Sequence, residues 1–227
     1  MAQQDENFPA EGLYKVGVQG ATNGLGIFFR DAFPMTNKTL LIWHSDLSSL
    51  RHPQEKQIIN TRTASPRPYV YNKINRVYSF RNMMGVSYLF ADRSAKNSIR
   101  IAFHGMMGPA MHFIKPIYLE VTVPDPQNAN NYIEVSKRYE PEKINQDDII
   151  GYSPFFTGIQ KIKTSLGASA KGGISFQWGN DNTTFKSMEI GVSLDWIPTA
   201  PPIMYKIKNK NFFTGFYISF ALGNYKI

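Results

Sequence analysis

Apolar and polar residues alternate along most of the chain. In Met188-Glu-Ile-Gly-Val-Ser-Leu-Asp-Trp196, the residues Met188, Ile190, Val192, Leu194 and Trp196 fall on one side, opposite Glu189, Gly191, Ser193 and Asp195. A period of two over nine residues predicts a strand with one apolar and one polar face. The closing segment repeats it, with Phe216, Ile218, Phe220 and Leu222 opposite Gly215, Tyr217, Ser219, Ala221 and Gly223. The same alternation runs through residues 165–178, 78–90 and 99–104, with Lys171, Arg81 and Arg100 on the polar sides. Polar connectors at Pro34–Asn37, Asp92–Asn97 and Gly179–Asn182 separate runs as hairpin turns do. The pattern predicts an antiparallel all-β domain.

Eight strands follow, near 12–19, 25–33, 39–46, 76–91, 98–112, 161–178, 184–197 and 211–225. Short turns alternate with long connectors at about 47–74, 113–160 and 197–210. An even number of strands, with short turns at one rim and long loops at the other, is the plan of an up-and-down transmembrane β-barrel. The short connector Gly20–Gly24 falls at the long-loop rim and is the exception. Residues Tyr118–Val123 and Tyr132–Tyr139 read as one more hairpin, giving either ten strands or a structured loop. Residues 1–12 form an N-terminal tail and residues 13–227 a single barrel domain.

Alternation alone fits a soluble barrel equally well, so the composition of each face must decide. The outer face of a soluble strand is dense in Lys and Glu. Here the polar face is Ser, Gly, Gln and Tyr with scattered charge, namely Arg81, Arg100, Lys171, Glu189 and Asp195. These five are expected in a narrow lumen as a mutually compensating network. The apolar set, Met188, Ile190, Val192, Leu194, Trp196, Phe216, Ile218, Phe220 and Leu222, is expected to face lipid. Trp178, Trp196, Tyr78 and Phe212 stand at run ends, where the aromatic residues of an interfacial girdle are expected. A soluble lipid-binding β-barrel is the competing fold.

Composition narrows the classes further. A hydrophobic share of 42% excludes disorder, and the absence of cysteine excludes a disulfide scaffold, a thiolate zinc site and a Cys nucleophile. No apolar run approaches the ~20 residues of a spanning helix. The start, Met1-Ala-Gln-Gln-Asp-Glu6, carries neither a basic nor an apolar stretch, so no signal peptide is expected. That fits a cytosolic chain or an exported one numbered from its processed end, and the strands favour the second. The net charge of +8 gathers in connectors, at Arg51, His52, Lys56, Arg62 and Arg67 and at Lys206, Lys208 and Lys210. Such rims are expected either to face membrane lipids, lipopolysaccharide or an acidic envelope protein, or simply to carry solvated charge. Nucleic acid is not expected, because the aromatics belong to the strand pattern and form no accessible platform.

Candidate chemistry is sparse. Gly20-Ala-Thr-Asn-Gly24-Leu-Gly26 resembles a dinucleotide loop, but no helix follows to receive a pyrophosphate. Tyr139-Glu-Pro-Glu-Lys143 has a reductase-like spacing that Pro141 denies to a helix. His52 and Glu55 lack a second histidine at ligand spacing and suit a loop ion pair or a backbone anchor. His104 is expected in the lumen and His112 at a rim. No Gly-x-Ser-x-Gly elbow is present. No catalytic, cofactor-binding or metal residue is therefore assigned. An outer-membrane lipid-modifying enzyme, its triad drawn from separate strands, stays open as the alternative function.

The long connectors contain His52-Pro-Gln-Glu-Lys56, Tyr69-Val-Tyr-Asn-Lys73, Lys115-Pro-Ile-Tyr-Leu-Glu120 and Gly151-Tyr-Ser-Pro-Phe-Phe-Thr-Gly158. With Gly172-Gly-Ile-Ser-Phe176 and the closing aromatic strand, these groups resemble an uncharacterised family of outer-membrane β-barrel proteins of Bacteroidota, in order over residues 13–227. Where that family tends to carry Gly after Tyr-Val-Tyr, this chain has Asn72. The resemblance implies a barrel in the outer membrane and supplies no catalytic residues. An eight-stranded lumen is just wide enough for side chains to fill it. The expected role is therefore an accessory or anchoring subunit of an envelope complex for secretion, protein insertion or surface-lipoprotein assembly. Tyr69, Tyr71, Tyr152, Phe155 and Phe156 are its candidate partner-docking residues; the alternative is that the same residues fold the loops back over the barrel mouth.

Overall fold

The computed structural model describes residues 12–62, 65–91, 99–128, 131–179 and 183–226. Eight long strands form the body: β1 Leu13–Ala21, β2 Gly24–Thr36, β3 Thr39–Leu50, β4 Asn75–Ala91, β5 Arg100–Pro116, β6 Lys163–Trp178, β7 Thr184–Trp196 and β8 Phe212–Tyr225. Each pairs antiparallel with its neighbours in sequence, and β8 returns to β1 in the register Leu13↔Tyr225 through Ala21↔Tyr217. That last pairing closes the barrel and leaves no free edge.

Closure also settles the strand number. With every barrel edge taken, the hairpin of Tyr118–Pro124 and Tyr132–Arg138 cannot enter the wall. It forms a separate three-stranded sheet with Ile149–Tyr152. The turn expected at Pro34–Asn37 lies slightly later. β2 continues through Pro34 to Thr36, with a register shift between Pro34 and Thr36 that accommodates a residue lacking an N–H. The connector at Asp92–Asn97 and most of that at Gly179–Asn182 lie outside the described residues.

The long connectors are ordered over one mouth. The three-stranded sheet packs Ile117, Leu119, Val121 and Ile149 around Tyr69 and Tyr139. Residues 197–211 cross the opening, and their Ile197, Ile203 and Met204 pack against Leu50, Val77 and Phe213 at the end of the lumen. The Asn75 side-chain amide donates to the Pro202 carbonyl (2.6 Å), and the Ile74 N–H donates to the Ile203 carbonyl (2.9 Å). At the opposite, short-turn end, Leu13, Ala32, Leu40, Ile42, Met83, Met106, Phe185 and Tyr225 fill the barrel. Apolar clusters thus lie toward both ends of the lumen, with most of its buried polar residues between them. In the connector, Asn72 has φ 60°, in the left-handed region that Gly and Asn enter most easily.

Candidate functional site

The wall of the barrel is inverted relative to a soluble protein. On β7, Ile190, Val192, Leu194 and Trp196 point outward and are exposed, with Met188 half-buried beside them; on β8, Phe216, Ile218, Phe220 and Leu222 are exposed. Leu222 is 67% exposed, whereas Glu189 is 2% and Asp195 0% exposed. Val16, Val18, Ile27, Met84, Val86 and Met107 continue the apolar surface over β1, β2, β4 and β5. No soluble monomer keeps so extensive an apolar wall in water while burying its charges. Trp196 pairs with Phe212 in register at the long-connector end, and Trp178 stands at the short-turn end. Rings at both ends are placed as interfacial girdles are. Asn82, a polar residue on the outer face, accepts a hydrogen bond from the Trp43 indole (2.5 Å).

The polar band inside is one connected network. Glu189 takes Arg30 through two bonds (2.6 and 3.1 Å) and also pairs with Lys15. Arg30 Nε donates to His44 Nδ1 (3.2 Å), which leaves the His44 Nε2–H to face Asp46 (3.3 Å). Asp46 accepts from Lys171 and from Arg81, both at 2.6 Å, and Arg81 grips Asp195 from Nε and Nη2 (2.5 and 2.8 Å). Ser169 donates to Asp195 (2.7 Å), and Lys171 also reaches Gln19 (2.8 Å). Charges taken this far from water persist only when each is paired and hydrogen-bonded. A cavity bordered by Arg81, Lys171, Ser193 and Tyr217 holds about 10 Å³, barely one water.

Of the five lumen charges read from sequence, Arg81, Lys171, Glu189 and Asp195 meet in this network. Arg100 is buried nearer the short-turn end, over the Tyr225 ring (5.2 Å). Sequence reasoning missed Lys15, Arg30, His44 and Asp46. On β2 and β3, Phe28, Leu40 and Ile42 share the inward face with Arg30, His44 and Asp46, while Phe29, Leu41 and Trp43 face outward. Both faces of these strands are mixed, so the hydrophobic period that exposes β7 and β8 is blurred there.

The remaining histidines are placed by the strands and the first long connector. His104 is in the lumen and meets the Tyr217 hydroxyl (2.9 Å). His112 is not a rim residue. It is fully buried inside β5, because β5 runs on to Pro116, and its Nδ1 lies 2.7 Å from Ser79 Oγ. Its Nε2 has no hydrogen-bond partner and neither ring nitrogen bonds a carboxylate, so Ser79 and His112 lack the third member of a triad. Glu55 accepts from the His52 backbone N–H (2.8 Å) and pairs with Lys73 (2.5 Å), which anchors the connector. Among the described residues no group of three His, Asp or Glu is arranged to hold a metal ion.

The docking set divides. Tyr69 is completely buried in the core of the loop sheet, where burial pushes its phenol up to about 12, and so it cannot be an exposed hot spot. Tyr152 is half-buried and its hydroxyl accepts from the Val70 N–H (2.9 Å), so it too folds the connectors together. Tyr71 is exposed. Phe155 and Phe156 are exposed, but Phe155 lies edge-on to Tyr78 on the outer wall (6.2 Å), which places it beside the apolar belt.

An apolar outer wall, a paired-charge interior and a closed meander define a transmembrane β-barrel with a filled lumen. No family model matches the chain, and no curated protein sequence does. Its fold is similar to that of the attachment invasion locus protein Ail of Yersinia pestis, at 8% identity and TM-score 0.40 over 96% of this chain and 99% of that one. It is likewise similar to Neisserial surface protein A, at 10% identity and TM-score 0.41 over 94% of each chain. The outer membrane protein OprG from Pseudomonas aeruginosa follows, at 6% identity and TM-score 0.36 over 98% of this chain and 99% of that one. Identities of a tenth or less leave the chemistry to be read from this chain's own residues.

Proposed function

We propose that this protein is a non-enzymatic barrel of the outer membrane that anchors a folded platform for a larger envelope assembly. The observation that carries the reading is the contrast between its two parts. The lumen is packed with paired charge and has apolar clusters toward both ends, which suits neither conduction nor catalysis. The connectors at one rim have a core of their own, where a barrel that needed only closure would use short turns. Strand Tyr132–Arg138 pairs on one side only and leaves an edge on this platform, with Tyr132 exposed on it and Tyr71 exposed elsewhere in the connectors. Exposed aromatics and an open edge are elements through which proteins add partners. Secretion, protein insertion or surface-lipoprotein assembly fits such a subunit, and the resemblance of the connector groups to a Bacteroidota barrel family implies the same placement. Membrane lipid or lipopolysaccharide surrounds the wall in this reading. No cofactor enters it.

Affinity purification of the tagged chain from detergent-solubilised membranes tests the proposal. A stoichiometric envelope partner is expected, and the pair Tyr71→Ala and Tyr132→Ala should release it while heat-modifiable gel mobility still reports a folded barrel. Isolation of the wild type alone after cross-linking overturns the accessory role. Hydrolysis of membrane phospholipid by the purified protein favours the enzyme instead.

A further inference from the structure

We propose that the outer wall carries a site for the phosphate of an anionic membrane lipid, formed by Arg76 and Lys115 at the long-connector rim. The inference rests on the membrane-barrel reading. Arg76 on β4 and Lys115 on β5 are direct cross-strand partners, on the outward face with Tyr78. Like charges set opposite each other on neighbouring strands repel. No carboxylate among the described residues pairs with either. Acids of the connectors are committed elsewhere, Glu55 to Lys73, Glu120 to Arg67 and Asp147 to Arg62. Two opposed cations that the protein itself leaves uncompensated call for an external anion.

The surroundings set the chemistry of that anion. The Arg76 guanidinium lies over the Tyr152 ring (4.2 Å), and the Lys115 ammonium lies 5.1 Å from the centre of the Phe155 ring. Ring faces hold both cations in place, Arg76 half-buried and Lys115 only 6% exposed. A cavity of about 490 Å³ opens on the Arg76 side of the pair, bordered by Arg51, Arg76, Tyr78 and Tyr152 and by the paired Glu55 and Lys73. Phe155 meets Tyr78 at the top of the apolar wall, and Phe156, 75% exposed, stacks edge-on to Phe155 (5.5 Å). The apolar tip therefore continues the lipid-facing surface directly beside the cations. Phosphate next to acyl chain is the arrangement of a lipid headgroup, which makes a membrane lipid a better occupant than a soluble anion.

Native mass spectrometry of the detergent-purified protein, offered phosphatidylglycerol or phosphatidylcholine of equal chain length, reads the site. The wild type should retain phosphatidylglycerol preferentially, and the double variant R76Q/K115Q should lose that preference by about tenfold or more. Heat-modifiable mobility monitors folding. Should the double variant misfold, K115Q alone should weaken the preference and the charge-preserving R76K/K115R should keep it. Equal retention of both lipids by the wild type, or a preference untouched by K115Q, overturns the site. Displacement of the bound lipid by millimolar inorganic phosphate overturns the lipid assignment and leaves a phosphate site. A protein that stays soluble and folded without detergent overturns the membrane reading itself.

Discussion

Arg81 on β4 and Asp195 on β7 join strands that are not neighbours in the barrel, and their two parallel bonds of 2.5 and 2.8 Å span the lumen. Arg81 also holds Asp46 on the adjacent β3, so one guanidinium ties three strands together. Arg81→Met should be among the most damaging lumen substitutions, because it leaves two buried carboxylates short of a partner. Removing one member of such a pair costs roughly 3–5 kcal/mol. Combining it with Asp195→Leu should recover part of the loss, since no unpaired carboxylate then remains at Asp195. Urea unfolding in detergent, followed by gel mobility, measures both. Equal losses in the single and double variants would refute the pairing argument.

Val192 and Ser193 are consecutive on β7 and face opposite solvents, the first exposed on the wall and the second buried beside Lys171 and Tyr217. Val192→Arg should destabilise the folded barrel in bilayers by about 2–4 kcal/mol if it lies near the midplane. Ile218→Arg, on the neighbouring β8 opposite Ile190, should behave alike. Ser193→Ala removes one 3.3 Å bond to the Gly215 carbonyl and should be nearly neutral. Refolding into vesicles of defined lipid reports the difference, and equal tolerance to charge at Val192 in detergent-free buffer would contradict a lipid-facing wall.

Tyr69 and Tyr71 lie two residues apart and should respond oppositely to truncation. Tyr69→Ala empties the centre of the loop sheet and should cost that sheet about 3–5 kcal/mol, by analogy with other buried aromatic truncations. The barrel should remain folded, because its closure involves none of these residues. Tyr71→Ala should leave both intact. Limited proteolysis separates the outcomes, with new cuts in the long connectors expected for the first variant only.

The same residue gives a dependence on alkali. The buried phenol of Tyr69 is raised from about 10 to about 12, chiefly by burial and secondarily by neighbouring Tyr139, Tyr71 and Asp147. A folded-state value above the unfolded one means stability fully present below pH 10 and lost as pH rises through 12. At most about 2–3 kcal/mol is involved. Protease susceptibility of the connectors should therefore rise across that window, and Tyr69→Phe should flatten the response.

Sequence alone determined the architecture of this protein because a membrane barrel writes its two faces into alternate residues. β7 and β8 carry that period almost without interruption, and their boundaries were legible within a residue or two. The connector lengths likewise displayed the two unlike rims. What only the tertiary structure decided are relations between residues distant along the chain. Lys15, Arg30, His44 and Asp46 join the lumen network through partners up to 174 positions away, and their own strands place apolar residues on both faces. Tyr69 and Tyr71 look equivalent in sequence, yet one is the core of a sheet assembled from three separate segments and the other meets solvent. Arg76 and Lys115 become an opposed pair of cations only through the register of β4 against β5. Periodicity reports which side of a strand a residue occupies; closure and register decide what stands opposite it, and electrostatics depends on that second fact.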